Sequence, residues 1–438
     1  MLLAGIKEAI VNSCDNIIQW EKKVVAFGAD GASVNLGKKG RVAALMRKEI
    51  PYLVDFHCLP HRLELALFKM QKSCKSVQEL YEVMNLVWKT YHYSAKSSRE
   101  LKALASELGV DAVKPTQVSG TRWLPHVSRA LKVFIKSGDA KKSEESTGQY
   151  ALVLCDDLIL PVAVSQLKET VAAITCLKSR HVPNGYLEKF LKVSSKSSNK
   201  DTKLFQGIKL EGSLEGKVKR IGSGPSFNSE VNKAVDLCLD GLKERFGQLM
   251  DSPDSSDSHS PYGPQNVIQD FLVFNVDSWP HKDAELIDFG NDNIERLINW
   301  FEPALRTAGC EVDDILPQWQ SMKITFNSQF RDKDNNSLWK MFLSKEPYKS
   351  DLKDILHLVE ILLVLPISAA GCERMVSSQN RIKSSLRASL KTSSLEGLIR
   401  ISAQGPSLEE FDPLPSVNRW FARDRSKGER QRRPNFSR

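Results

Sequence analysis

Two strand-to-helix units in succession constrain this chain's fold more than any other feature. In "KKVVAFGADGASVNLGKKGRVAALMRKEI" an apolar run predicts a strand from Val24 to Phe27, then a Gly-rich turn and a helix from about Lys38. The next stretch, "PYLVDFHCLPHRLELALFKM", alternates Tyr52, Val54 and Phe56 on one face, then sets Pro60 at the start of a helix reaching Met70. Strands alternating with helices imply an α/β layer with a largely parallel sheet.

After Lys114 the strand signals fade. Helical patterns such as "ALVLCDDLILPVAVSQLKETVAAITCLKSR" take over, separated by the polar linkers "SSKSSNKDTK", "GSLEGKVKRIGSGPSFNSE" and "DSPDSSDSHSPYGP". These linkers hold too little apolar surface to offset the entropy of ordering them. Further on, "SDLKDILHLVEILLVLPISAA" is apolar almost all round, predicting a fully buried helix stopped by Pro366. "SLKTSSLEGLIRIS" predicts a shorter helix opened by Ser caps. The expected organisation is a first part of the core over 1–124 and a helical insertion with long Ser-rich loops over 125–339. A closing region over 340–405 completes the core, and a basic tail occupies 406–438.

With 438 residues the chain can bury a sizeable core. Its eight cysteines are scattered with no C-x-x-C, which predicts reduced, buried thiols rather than a disulfide framework. No window of about 18 or more uninterrupted apolar residues occurs, and the start "MLLAGIKEAIVNSCD" meets charge too soon for a secretory signal, so an intracellular protein with no membrane partner is expected. The net charge of +9 is modest, but "RWFARDRSKGERQRRPNFSR" carries eight Arg or Lys against two acids. That excess fits a solvated tail, a nucleic-acid contact or a nuclear import signal.

Asp30 directly follows the first strand, so its carboxylate is expected at the strand's carboxyl end, where open α/β sheets place their sites. It is equally an ordinary Asp-Gly turn. His57, Cys58 and His61 crowd the next strand-helix junction. No matching C-x-x-C or H-x-x-x-H accompanies them, which argues against zinc. His61, in the first helical turn, is expected to point toward Asp30, although a lone histidine often has no role. In "SGTRWLPHVSRAL", Arg122 and Trp123 precede a Pro-opened helix, where the Trp can stack on an unpaired base or simply pack in a core.

The four pieces "GADGASVN", "HCLPHRLELAL", "GTRW" and "LPISAAGCERMVSSQNRIKSSLRASL", in that order, resemble the successive blocks of the hAT superfamily of cut-and-paste DNA transposases and their domesticated derivatives. The resemblance covers roughly 20–130 and 340–405. It implies an RNase H-like mixed-sheet core, partial at its amino end, interrupted by a mainly helical insertion and closed by a dimerisation region. In that family three carboxylates bind two divalent ions, Mg²⁺ or Mn²⁺, for in-line phosphoryl displacement. By the resemblance, Asp30 matches the second carboxylate and Glu373 the third. Cys58 and His61 match a C-x-x-H block, and Trp123 with Arg122 and His61 falls to nucleic-acid contact.

The family's first carboxylate lies several dozen residues before the second, whereas 29 residues precede Asp30 here, and the amino-terminal BED-type finger of such proteins has no counterpart. The expectation is therefore impaired catalysis that requires no cofactor, with Mg²⁺ or Mn²⁺ relevant only if the site is active. The leading reading is a nuclear, self-associating protein that contacts DNA or protein and takes no small-molecule substrate. Leu358, Ile361, Leu362, Leu365, Leu395 and Leu398 are its expected homodimer contacts. A residual Mg/Mn-dependent transposase or nuclease and a nonfunctional remnant of a mobile element are the other readings.

Overall fold

The computed structural model describes residues 2–13, 20–37, 40–107, 159–179, 203–205, 208–210, 225–250, 262–407 and 409–422. These fall into two compact units, Met1–Ala369 and Ala370–Arg438. The first begins with α1 (Leu2–Ser13), β1 (Ala26–Ala29), α2 (Ser33–Leu36), α3 (Val42–Glu49), β2 (Val54–His57), α4 (Leu59–Ser73), α5 (Lys75–Tyr93) and α6 (Ala95–Glu107). It continues with α7 (Leu160–Ser179), β3 (Lys203–Phe205), β4 (Ile208–Leu210), α8 (Pro225–Met250), α9 (Pro264–Asp270) and α10 (Asp283–Asp288). Then come α11 (Asn291–Thr307), α12 (Ile315–Gln329), α13 (Asn335–Ser344), α14 (Tyr348–Asp351) and α15 (Lys353–Val364). The second unit holds α16 (Ala370–Ile382), α17 (Thr392–Gln404) and α18 (Leu414–Ala422).

β1 and β2 pair in parallel, Ala26 opposite Val54 and Ala29 opposite His57. The helices α2 and α3 supply the crossover that a parallel pair needs. β2 keeps the expected alternation, burying Val54 and Phe56, with Tyr52 buried just before it. β1 begins two residues later than Val24, because Val24 N–H donates to Trp20 O (3.1 Å) and closes a turn instead of joining the ladder. The following helix starts at Val42 rather than Lys38, after Gly40 takes a left-handed φ of 64°. The expected α/β layering is thus this one parallel pair flanked by helices. β3 and β4, which the linkers hid, form a short antiparallel pair, and the described residues are otherwise mainly helical.

The region read as an insertion shares its core with the first part. α8 runs along α4 and approaches it closely at Gly241, where a Cβ would lie 2.4 Å from Ala66 O. Trp300 of α11 donates its indole N–H to Tyr52 O (2.8 Å). Farther along, Trp319 meets the rings of Phe274 (5.6 Å) and Trp279 (5.1 Å) edge-on. Buried Lys323 lies within this aromatic core. Its ammonium donates to Ile287 O (2.7 Å), Phe289 O (2.9 Å) and Asn291 Oδ1 (3.1 Å), and burial pushes its pKa down to about 8.

α15 buries Ile355, Leu358, Val359 and Leu362, as its composition predicts. It is not buried all round: Leu363 and Val364 in its last turn are 39% and 63% exposed. The apolar run of the sequence exceeds what one helix face can hide once Pro366 ends the helix. In the second unit α16 packs on α17, which opens at Lys391 with no side-chain cap, so the expected Ser caps are not used.

Because the Gly241 contact is with backbone, Gly241→Val is expected to lower stability by about 2 kcal/mol through overpacking of the α4/α8 seam, measured by urea unfolding.

Candidate functional site

In-register pairing of β1 and β2 sets their carboxyl ends side by side, and Cys58 N–H donates to Ala29 O (2.9 Å). Asp30 emerges from β1 exposed. Its Oδ1 accepts from Asn35 Nδ2 (3.0 Å) and more distantly from Ala32 N (3.4 Å), which folds the turn back on itself. Gly31 is needed here for close approach: a Cβ on it would come 2.4 Å from His57 Cε1 and 2.5 Å from Nε2. His57 therefore lies close against the Asp30–Gly31 turn, with its Nε2 buried and without a hydrogen-bond partner.

His57, not His61, is the histidine against the Asp30 turn, and His61 lies beside it with ring centroids 5.7 Å apart. The reason is geometric: a side chain at the end of β2 reaches across the ladder to the neighbouring strand's turn, whereas His61 is already in the first turn of α4. Burial lowers the His57 pKa from its ordinary 6.5 to about 4, reinforced by Arg62, His61 and Arg245, with Asp30 the weaker opposing charge. His57 is neutral at pH 7.

Arg62, on the next position of α4, is half-buried. Its Nη2 donates to Arg245 O of α8, and its guanidinium sits 5.0 Å from the Phe246 ring centroid. Burial and the neighbouring Arg245 bring its pKa down to about 10. Among the described residues neither arginine has a carboxylate within ion-pair distance.

The extended segment 365–369 closes the site from above. Ile367 O accepts from Leu59 N (2.9 Å), and Ala369 N donates to Cys58 Sγ (3.2 Å). Gly28 lies so close under Pro366 that a Cβ there would be 2.7 Å from Pro366 Cβ and O. Cys58, buried, is thus a packing and hydrogen-bonding group of this closure.

Three of the four sequence blocks meet here: "GADGASVN", "HCLPHRLELAL" and the "LPISA" start of the last. Arg122 and Trp123 lie outside the described residues. Glu373 belongs to the second unit, half-buried in the first turn of α16, where a carboxylate complements the positive end of the helix. Leu358, Ile361, Leu362 and Leu365 are core residues of the first unit. In the second, Leu395 is buried and Leu398 half-buried, while Met375, Val376 and Ile401 are the exposed apolar side chains of α16 and α17.

As a divalent-metal site the strand ends are a poor fit. Mg²⁺ and Mn²⁺ take oxygen ligands, and here a single carboxylate engaged by Asn35 stands beside two imidazoles and two guanidiniums. Among the described residues no group of three or more His, Cys, Asp or Glu is placed to hold a metal. Sequence reading missed Asn35, Arg62 and Arg245. The first two lie within the quoted blocks, but Arg245 joins only through α4/α8 packing. A separate cavity of about 320 Å³ lies between Lys22–Val25, α11 and the outer face of α15, with Ala304, Thr307, Ile361 and Val364 among its walls. No family model matches this chain, and no solved structure matches it.

Between pH 6.5 and 4 the unfolded chain protonates its counterpart of His57 while the folded chain does not, so stability present above pH 6.5 is lost as pH falls toward 4. The charged groups facing that imidazole are Arg62, His61, Arg245 and Asp30. Thermal unfolding of His57→Gln is expected to show a smaller loss of Tm over this range than the parent chain.

Proposed function

We propose that this chain is a hAT transposase-derived protein that acts in the nucleus by self-association and by contact with DNA or protein, with its transposase chemistry impaired. The observation that carries this reading is the convergence of three resembling blocks on the carboxyl ends of one parallel strand pair, the last brought in by the Ala369–Cys58 hydrogen bond between residues 311 apart in sequence. That is where an α/β scaffold places its site. In this reading β1 and β2 are strands of an RNase H-like sheet, and the helices α7 to α13 are the insertion that packs beside it.

The charge balance favours association over catalysis. Arg62, His61 and Arg245 outweigh Asp30 at His57, a field that attracts phosphate and repels a divalent cation. The basic carboxyl-terminal stretch supports nucleic-acid or import contacts. Asp30 and Glu373 together keep a second reading, a Mg/Mn-dependent transposase or nuclease.

Nicking of supercoiled DNA with Mn²⁺ separates the two. The expected result is no nicking by the purified chain that Asp30→Asn or Glu373→Gln abolishes; loss in both variants would establish the enzyme reading instead.

For self-association, Val376 and Ile401 are apolar side chains of the second unit available without opening a core, being 54% and 70% exposed. The double variant Val376→Glu, Ile401→Glu is expected to shift the sedimentation mass from dimer to monomer with Tm within a few degrees of the parent. An unchanged mass would remove this surface from the interface.

A further inference from the structure

We propose that Arg62 and Arg245, at the amino end of α4 where it meets α8, form a docking point for a phosphate group. This deepens, and rests on, the reading of the chain as a nucleic-acid-associated protein, and a backbone phosphodiester is the source that reading implies.

Three placements that are each unfavourable coincide at Arg62. A cation in the first turn of a helix opposes the helix dipole. A half-buried guanidinium loses hydration. A second guanidinium beside it adds like-charge repulsion. Among the described residues no carboxylate is paired with either arginine.

The same seam shows what a matched cation looks like. Two turns along α4, Lys69 is paired with Glu244 of α8 at 2.8 Å. At the end nearest the strands Arg62 and Arg245 have no such partner among the described residues, and a bound anion offsets all three costs at once.

The geometry suits an oxyanion. Stacking on Phe246 and the bond from Nη2 to Arg245 O fix the plane of the Arg62 guanidinium, leaving its remaining N–H donors for a ligand. Arg245 adds a second fork from α8, and both residues are partly open to solvent. The half-exposed imidazole of His61 lies on the same rim, while neutral His57 fills the floor against Gly31. Asp30, with Oδ1 held by Asn35, is a carboxylate that acts on His57 more weakly than the cations do.

The test uses the full chain, a labelled DNA duplex of about 30 base pairs read by anisotropy across a salt series, and inorganic phosphate read by the imidazole NMR signals of His57 and His61. Arg62→Gln and Arg245→Gln are each expected to weaken DNA binding about tenfold, one charge-assisted contact, and to reduce the salt slope by about 0.9. Lys69→Gln, which removes the same charge from the matched pair, is expected to change neither. Arg245→Gln keeps the test valid if the more buried Arg62→Gln fails to fold.

Equal affinity and slope for the parent and both arginine variants, with no phosphate-induced shift, would overturn the site while leaving DNA association by other surfaces intact. No DNA binding by the parent, with a phosphate shift lost in the arginine variants, would keep the anion site with free phosphate as its ligand and remove the nucleic-acid reading. An unaltered phosphate shift in both variants would overturn the arginine assignment.

Discussion

The extended segment 365–369, laid across the ends of β1 and β2, is the contact on which the site depends. A two-stranded parallel pair has little stability of its own, because such sheets are normally covered on both faces. Here Pro366 presses on Gly28, Ile367 O accepts from Leu59 N–H, and Ala369 N–H donates to the buried Cys58 sulfur. The buried face of α15 anchors the strap from one side. Each strap contact falls on a residue adjoining the strand ends, so the geometry of Asp30, His57 and α4 follows from where the strap lies.

A second constraint is electrostatic. The strand ends carry one engaged carboxylate and several cations, so the local potential is positive although the acidic residues of the chain nearly balance its basic ones. Opening a helix with Pro60, His61 and Arg62 makes that end of α4 positive twice over, through the dipole and through the side chain. α8 then brings Arg245 against it instead of a second glutamate like Glu244. Burial of His57 keeps its imidazole neutral near pH 7, so it adds no charge at the floor of the site.

Much of the local structure was legible. β2, α4 and α15 fall close to where alternation, Pro60 and the apolar run before Pro366 place them. Boundaries moved where hydrogen bonds not visible in composition intervened: the Trp20 turn delays β1, and Gly40 delays α3. Asp30 was identified by its place after a strand, and it does stand at the strand end. The choice between His57 and His61 as its neighbour was not legible, because it depends on which side chain crosses the ladder.

By itself the sequence determined the period of each element and the order of its blocks, since strand alternation, helix starts and proline stops act over a few residues. Only the tertiary structure decided that α8 belongs to the same core as β1 and β2, that Leu358 and Leu362 face inward while Leu363 and Val364 do not, and that Arg62 meets Arg245. Those outcomes require segments far apart in the chain to compete for the same buried surface. Close packing, not local propensity, settles that competition.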